Sequence, residues 1–169
     1  MDAVVIIILF FLMPILIMGF FGIRKDRRKR LVKRLLEKAL NQLTTENDLL
    51  IVDVEYLNNK VIGIDRKNRK LVYADYRKGA IYKRCIDLNF LSFCRVNKIV
   101  DKSSNCMKQL FLEVKCKGVN KISRLIFYDR SFDNIRSKAF LLRKAEQWKN
   151  KINLHRRSLN LNNQFEYVL

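Results

Sequence analysis

The chain is poor in the residues that most often mark chemistry: one histidine, one tryptophan, one proline and five scattered glycines. It contains no G-x-x-x-x-G-K-[ST], no G-x-G-x-x-G and no G-x-S-x-G run. A phosphate-cradling loop and a nucleophile elbow are therefore both excluded. His155, among Arg156 and Arg157 near the end of the last predicted helix, reads as a helix-end surface residue rather than half of a catalytic dyad. The four cysteines, Cys85, Cys94, Cys106 and Cys116, form no C-x-x-C pair, which argues against zinc. Cys85, Cys94 and Cys116 sit in apolar or alternating runs, where a free thiol behaves as a small buried hydrophobe. Asp65, Asp75, Asp87 and Asp129 fall at predicted strand ends, the usual place of turn-forming carboxylates. No catalytic residue, cofactor or metal is expected, and the chain reads as a non-enzyme.

Lysine and arginine are abundant, 35 against 16 acidic residues, for a net charge of +19. From Val4 to Ile23 the chain carries no charge at all (VVIIILFFLMPILIMGFFGI). At 1.5 Å per residue, twenty helical residues span the roughly 30 Å of a bilayer's hydrocarbon, so residues 1–23 are expected to be a transmembrane anchor. Arg24, Lys25, Arg27, Arg28, Lys29 and Arg30 follow it, opposed only by Asp26. By the positive-inside rule these six cations orient a single-pass protein of the cell membrane, N-terminus outside and C-terminal domain cytoplasmic. They also suit contact with anionic headgroups.

Residues 24–47 read as a basic amphipathic juxtamembrane helix and linker, with Leu31, Leu35, Leu36, Ala39, Leu40 and Leu43 at three- and four-residue spacing. That stripe calls for a partner: the following domain, the bilayer interface or a second copy. From residue 48 the period becomes strand-like, and seven runs follow, starting at Leu49, Val61, Lys70, Ala80, Ser92, Gln109 and Ser123. In the sixth, Leu110, Leu112, Val114 and Cys116 share one face while Glu113, Lys115 and Lys117 share the other, as in a half-solvated antiparallel strand. Ile135, Ala139, Leu142, Ala145, Trp148 and Ile152 then mark one amphipathic helix that closes a domain over 48–157. Residues 158–169 show no clear period and read as a loosely ordered tail.

Seven short strands followed by one helix with a lone tryptophan resemble a pleckstrin-homology (PH) domain. VIGIDRKNRKLVYADY followed by CIDLNFLSFCRVNK is also similar to a group of bacterial membrane-anchored proteins with an N-terminal transmembrane helix. The resemblance implies a seven-stranded partial barrel, capped by a C-terminal α-helix whose Trp148 packs on the core. It departs from lipid-reading PH domains at the first hairpin, Leu57 to Lys60, where one cation is too few to grip inositol phosphates. Arg66, Lys67, Arg69 and Lys70, at the next hairpin, are a candidate anion site. The expected function is a PH-like interaction module that binds a protein partner beside the membrane. The alternatives are a charge-driven sensor of anionic lipid and a structural subunit that self-associates through its anchor and juxtamembrane helix. Nucleic acid is disfavoured, although Tyr73, Tyr76, Arg77, Lys78, Tyr82, Lys83 and Arg84 interleave aromatics with cations.

Overall fold

The computed structural model describes the backbone of residues 3–118 and 122–166, and the side chains of residues 13, 26–118 and 122–155. Between Ile23 and Gly63 there is neither glycine nor proline, so nothing in the backbone separates the apolar run from the basic stretch after it. One 44-residue helix, α1 (Ala3–Glu46), covers both. The discrete membrane-crossing anchor expected over Val4–Ile23 is accordingly corrected: among the described residues no helix is long and apolar enough to cross a membrane. Within that run only the side chain of Met13 is described; the others, with those of Arg24 and Lys25, lie outside the described residues.

α1 ends in a Schellman motif. Leu49 N–H donates to the Thr44 carbonyl at 3.0 Å and Asp48 N–H to that of Thr45 at 3.5 Å, with Asp48 left-handed at φ 50°. Among the described residues seven strands follow: β1 (Asp53–Leu57), β2 (Lys60–Asp65), β3 (Lys70–Arg77), β4 (Ala80–Asp87), β5 (Leu91–Val100), β6 (Met107–Cys116) and β7 (Ser123–Asp129). They form two antiparallel sheets, ordered β1-β2-β3-β4 and β5-β6-β7. The run at Leu49 enters its strand only at Asp53, because Leu49 is spent closing the end of α1.

A 3-10 turn (Ile135–Ser137) leads into α2 (Lys138–Glu166). The stretch read as a loose tail continues this helix as far as Glu166, in keeping with the absence of glycine or proline after Gly118; residues 167–169 lie outside the described residues. Between the sheets and α2 lies the main core: Ile62, Ile64, Leu71 and Tyr73 from one sheet, Leu110, Leu112, Val114, Leu125 and Phe127 from the other, and Leu141, Ala145, Trp148 and Ile152 from α2. Trp148 is fully enclosed, and its Nε1–H donates to Glu55 Oε2 at 2.7 Å. A second core lies on the outer face of the first sheet, where Val32, Leu36, Ala39, Leu40 and Leu43 of α1 pack on Val61, Val72 and Ala74. Among the partners considered for the α1 stripe, the structure gives the domain itself.

β6 departs from the simple alternation, since Glu113 is buried on the face expected to be solvated. Arg95 Nη2 lies 2.8 Å from Glu113 Oε2 and Arg124 Nε 3.5 Å from Oε1, and Asn97 Nδ2 donates to Oε2 at 2.7 Å. Burial alone would raise this carboxyl's pKa. Arg95, Asn97 and Arg124 together overcome that and hold it below the ordinary glutamate value. Its stabilisation is thus present above the unfolded pKa and is lost as pH falls through the lower folded one.

Two outcomes are expected. Glu113→Gln will show a shallower loss of stability than the parent on acidification below the ordinary glutamate pKa, in denaturant melts across pH. Leu36→Ala will lower unfolding free energy by about 2–5 kcal/mol in urea titrations, because α1 is part of the folded unit; a variant as stable as the parent would mean that the helix is detached.

Candidate binding surfaces

The β2–β3 turn carries the four cations Arg66, Lys67, Arg69 and Lys70, and the fold separates them. Arg66 Nη2 donates to Asp53 Oδ2 of β1 at 2.7 Å, and Lys151 Nζ of α2 lies 4.0 Å from the same oxygen. His155 stands one turn beyond Lys151, on the same face of α2. Its pKa is pushed down by burial and then by the charges of Arg66 and Arg69, with Asp53 opposing. The Asp53 carboxyl is itself held low, chiefly by the Arg66 hydrogen bond. Lys70 instead acts on Cys85, whose thiol pKa is raised by partial desolvation of its sulfur and partly restored by Lys70. Lys67 is exposed in the turn. Arg66 and Arg69 therefore belong with Lys151 and His155, about ninety positions away. The Lys151–His155 spacing puts that pair on one helix face, but only packing brings it to the turn.

Arg27, Arg28, Lys29 and Arg30 are exposed on α1, ahead of its buried stripe. Trp148 belongs to the core rather than to any surface.

A second basic region follows the β3–β4 turn, where Lys78 (φ 51°) and Gly79 (φ 81°) make a two-residue, left-handed connection. β4 is the last strand of its sheet. In such a hairpin the closing pair, here Arg77 and Ala80, exchanges both hydrogen bonds, so Ile81, Lys83 and Cys85 turn their backbone groups toward the open edge. From Arg77 to Ile86 there are four cations and no acid. Among the described residues only Arg77 of these four is ion-paired, its Nε 2.9 Å from Asp75 Oδ1, and it also stacks 4.8 Å from the centroid of the half-exposed Tyr82. Cys85 is exposed on this strand, which corrects its reading as a buried hydrophobe: an edge strand has no second neighbour to cover it. Cys94 does lie in the core, and burial pushes its thiol up to about 12.

The most concentrated charge inside the fold is Lys60, 1 % exposed. Its Nζ lies 2.9 Å from Asp133 Oδ2 and also donates to Asn59 Oδ1. Asp133 accepts further bonds from Asn58 Nδ2 at 3.2 Å and from the Asp129 N–H at 2.9 Å. Burial lowers the Lys60 pKa, and Asp133, Asp75 and Asp129 offset this only in part. Nearby, the Tyr73 hydroxyl lies 2.8 Å from Asp75 Oδ2 and 2.7 Å from the Ile126 carbonyl. Among the described residues no buried side-chain nitrogen or oxygen lacks a partner, and no group of histidine, cysteine and carboxylate side chains could hold a metal. The arrangement holds the start of β2 to the entry of α2, and every polar atom in it is already committed. The other strand-end aspartates act in turns: Asp65 accepts from the Leu50 and Asn68 N–H groups, Asp87 from Asn89 N–H and Asp129 from Ser131 N–H.

The fold and its surfaces define a mainly-β unit of two antiparallel sheets, with one helix on the outer face of the first sheet and another against the core. No protein-family description, curated protein or solved structure matches the chain.

Lys60→Met will leave Asp133 charged and buried without its ammonium, and is expected to cost about 3–5 kcal/mol in denaturant unfolding. Adding Asp133→Leu should recover much of that loss, because the orphaned charge goes with it.

Proposed function

We propose that the chain is a non-catalytic, PH-like binding module that takes an extended acidic segment of a protein partner along the free edge of β4. The observation that carries this is the composition of the edge: outward backbone groups at Ile81, Lys83 and Cys85, flanked by Arg77, Lys78, Lys83 and Arg84, with no acid before Asp87. Strand addition draws affinity from main-chain hydrogen bonds and selectivity from alternate side chains. Cations along an edge also repel a second copy of the same edge, the usual protection against self-pairing. The same charge favours an acidic strand. Support for the PH-like reading is the four-plus-three arrangement of antiparallel strands, with Trp148 of a C-terminal helix set in the core. Arg27, Arg28, Lys29 and Arg30, exposed on α1, add attraction to anionic surfaces, so the module works beside one.

The test is amide hydrogen exchange of the full chain with an eight-residue alternating Glu/Val peptide. Ile81, Lys83 and Cys85 amides should gain protection, weakening with salt as exposed charges are screened. Lys83→Glu with Arg84→Glu should reverse the preference toward a Lys/Val peptide. Protection confined to other strands, or none with either peptide, would refute the reading.

A further inference from the structure

The cluster at the far end of the same sheet gathers side chains from β1, the β2–β3 turn and α2, and calls for a different ligand. Asp53 is met by Arg66 at 2.7 Å and by Lys151 at 4.0 Å. Arg69 stands in the same turn with a left-handed backbone, φ 52°. His155 sits one helical turn from Lys151 and within the electrostatic reach of both arginines. Two cations, Arg66 from a β-turn and Lys151 from a helix, thus meet one carboxylate with the imidazole beside them, and Arg69 adds its charge at the imidazole, leaving positive charge in excess. The Lys151 contact is long and its ammonium also lies 4.8 Å above the Trp148 ring, so it can turn to a new anion without abandoning the core. Arg66 and Lys151 are largely solvent-accessible, with side-chain exposures of 62 % and 46 %.

We propose that Arg66, Arg69, Lys151 and His155 form a binding site for a phosphate monoester dianion, with Asp53 holding Arg66 in place until the ligand arrives. The doubly charged group compensates what one carboxylate cannot, and guanidinium forks match phosphate oxygens pairwise. The imidazole serves as a coupled fourth donor. In the anion-free protein burial, then Arg66 and Arg69, disfavour its protonation and Asp53 favours it; a bound dianion tips the balance toward imidazolium, so affinity for an anion of constant charge rises as pH falls toward the imidazole range. The site differs from the set of four cations about the turn, because Lys70 acts on Cys85 and not on His155. It is also independent of the β4 edge.

The protein supplies its own reporters, one histidine and one tryptophan. The His155 ring resonances of the full chain, followed across pH, should give a pKa below the ordinary imidazole value without anions and a higher one with sulfate, whose charge stays constant through the titration. Trp148 fluorescence should respond at the same sulfate concentration as Lys151 moves. Arg66→Gln with Arg69→Asn, asparagine being tolerant of a left-handed backbone, should bind sulfate roughly tenfold or more weakly. With two cations gone, its anion-free His155 pKa should rise; unchanged Trp148 near-ultraviolet dichroism would report an intact fold. Vesicles separate the sources of the phosphate. Retention on phosphatidic acid vesicles, lost in the double variant, assigns a lipid headgroup; a response to sulfate and inorganic phosphate without such retention assigns a soluble phosphomonoester. An unmoved His155 pKa with sulfate, phosphate and vesicles alike, or an equal shift in the double variant, would overturn the site.

Discussion

The structure depends on burying the first sheet on both faces. Every residue of β2 is buried, and β3 is buried from Leu71 to Asp75. Alternation then gives each strand two apolar faces: Ile62, Ile64, Leu71 and Tyr73 look into the main core, while Val61, Val72 and Ala74 meet α1. Gly63 shows how close the layers come. A Cβ there would stand 2.9 Å from Ile51 Cγ2 and 3.2 Å from both the Asp53 carbonyl and Val72 Cγ2. The chain leaving α1 therefore crosses β2 at a point where no larger side chain fits. Helix and sheet are one packed unit.

That double burial decides which surfaces remain for binding. β4, the last strand of its sheet, is the most exposed of the four: Ile81 packs against α1 and Ile86 is buried, while Tyr82, Lys83, Arg84 and Cys85 face solvent. The register sets the β2–β3 turn beside Lys70 and the β3–β4 turn beside Arg77, at opposite ends of β3. The two basic regions are thus separate, and the first gains its helix-borne members from α2. Lys60 lies near the Arg77 end, opposite Asp75, and is neutralised within the fold. It adds nothing to the outer charge despite belonging to a basic chain.

The strands were readable because their alternation reflects a physical period, and burial of one face enforces it residue by residue. The regions where reading failed share a different cause. Glu113 looked like a solvent-facing residue, but Arg95 and Arg124 from the neighbouring strands cover it, and such a pairing leaves no trace in β6 alone. Cys85 looked like Cys94, yet one is on an edge and the other in the core. The two sites in a run of four turn cations could not be told apart by spacing, since a turn sends adjacent side chains to different sides of a sheet.

What the sequence by itself determined is the local grammar: where helix and strand periods hold, where the turns fall, and that no nucleotide loop or nucleophile elbow exists. These follow from short-range sterics and from the two-fold and 3.6-fold repeats of backbone geometry. Tertiary structure alone decided that the apolar stripe of α1 is covered by the domain and that Lys60 is enclosed with Asp133. It alone joined Arg66 and Arg69 to Lys151 and His155. Each of these outcomes rests on contacts between segments far apart in the chain, and no periodicity records which distant face will meet which.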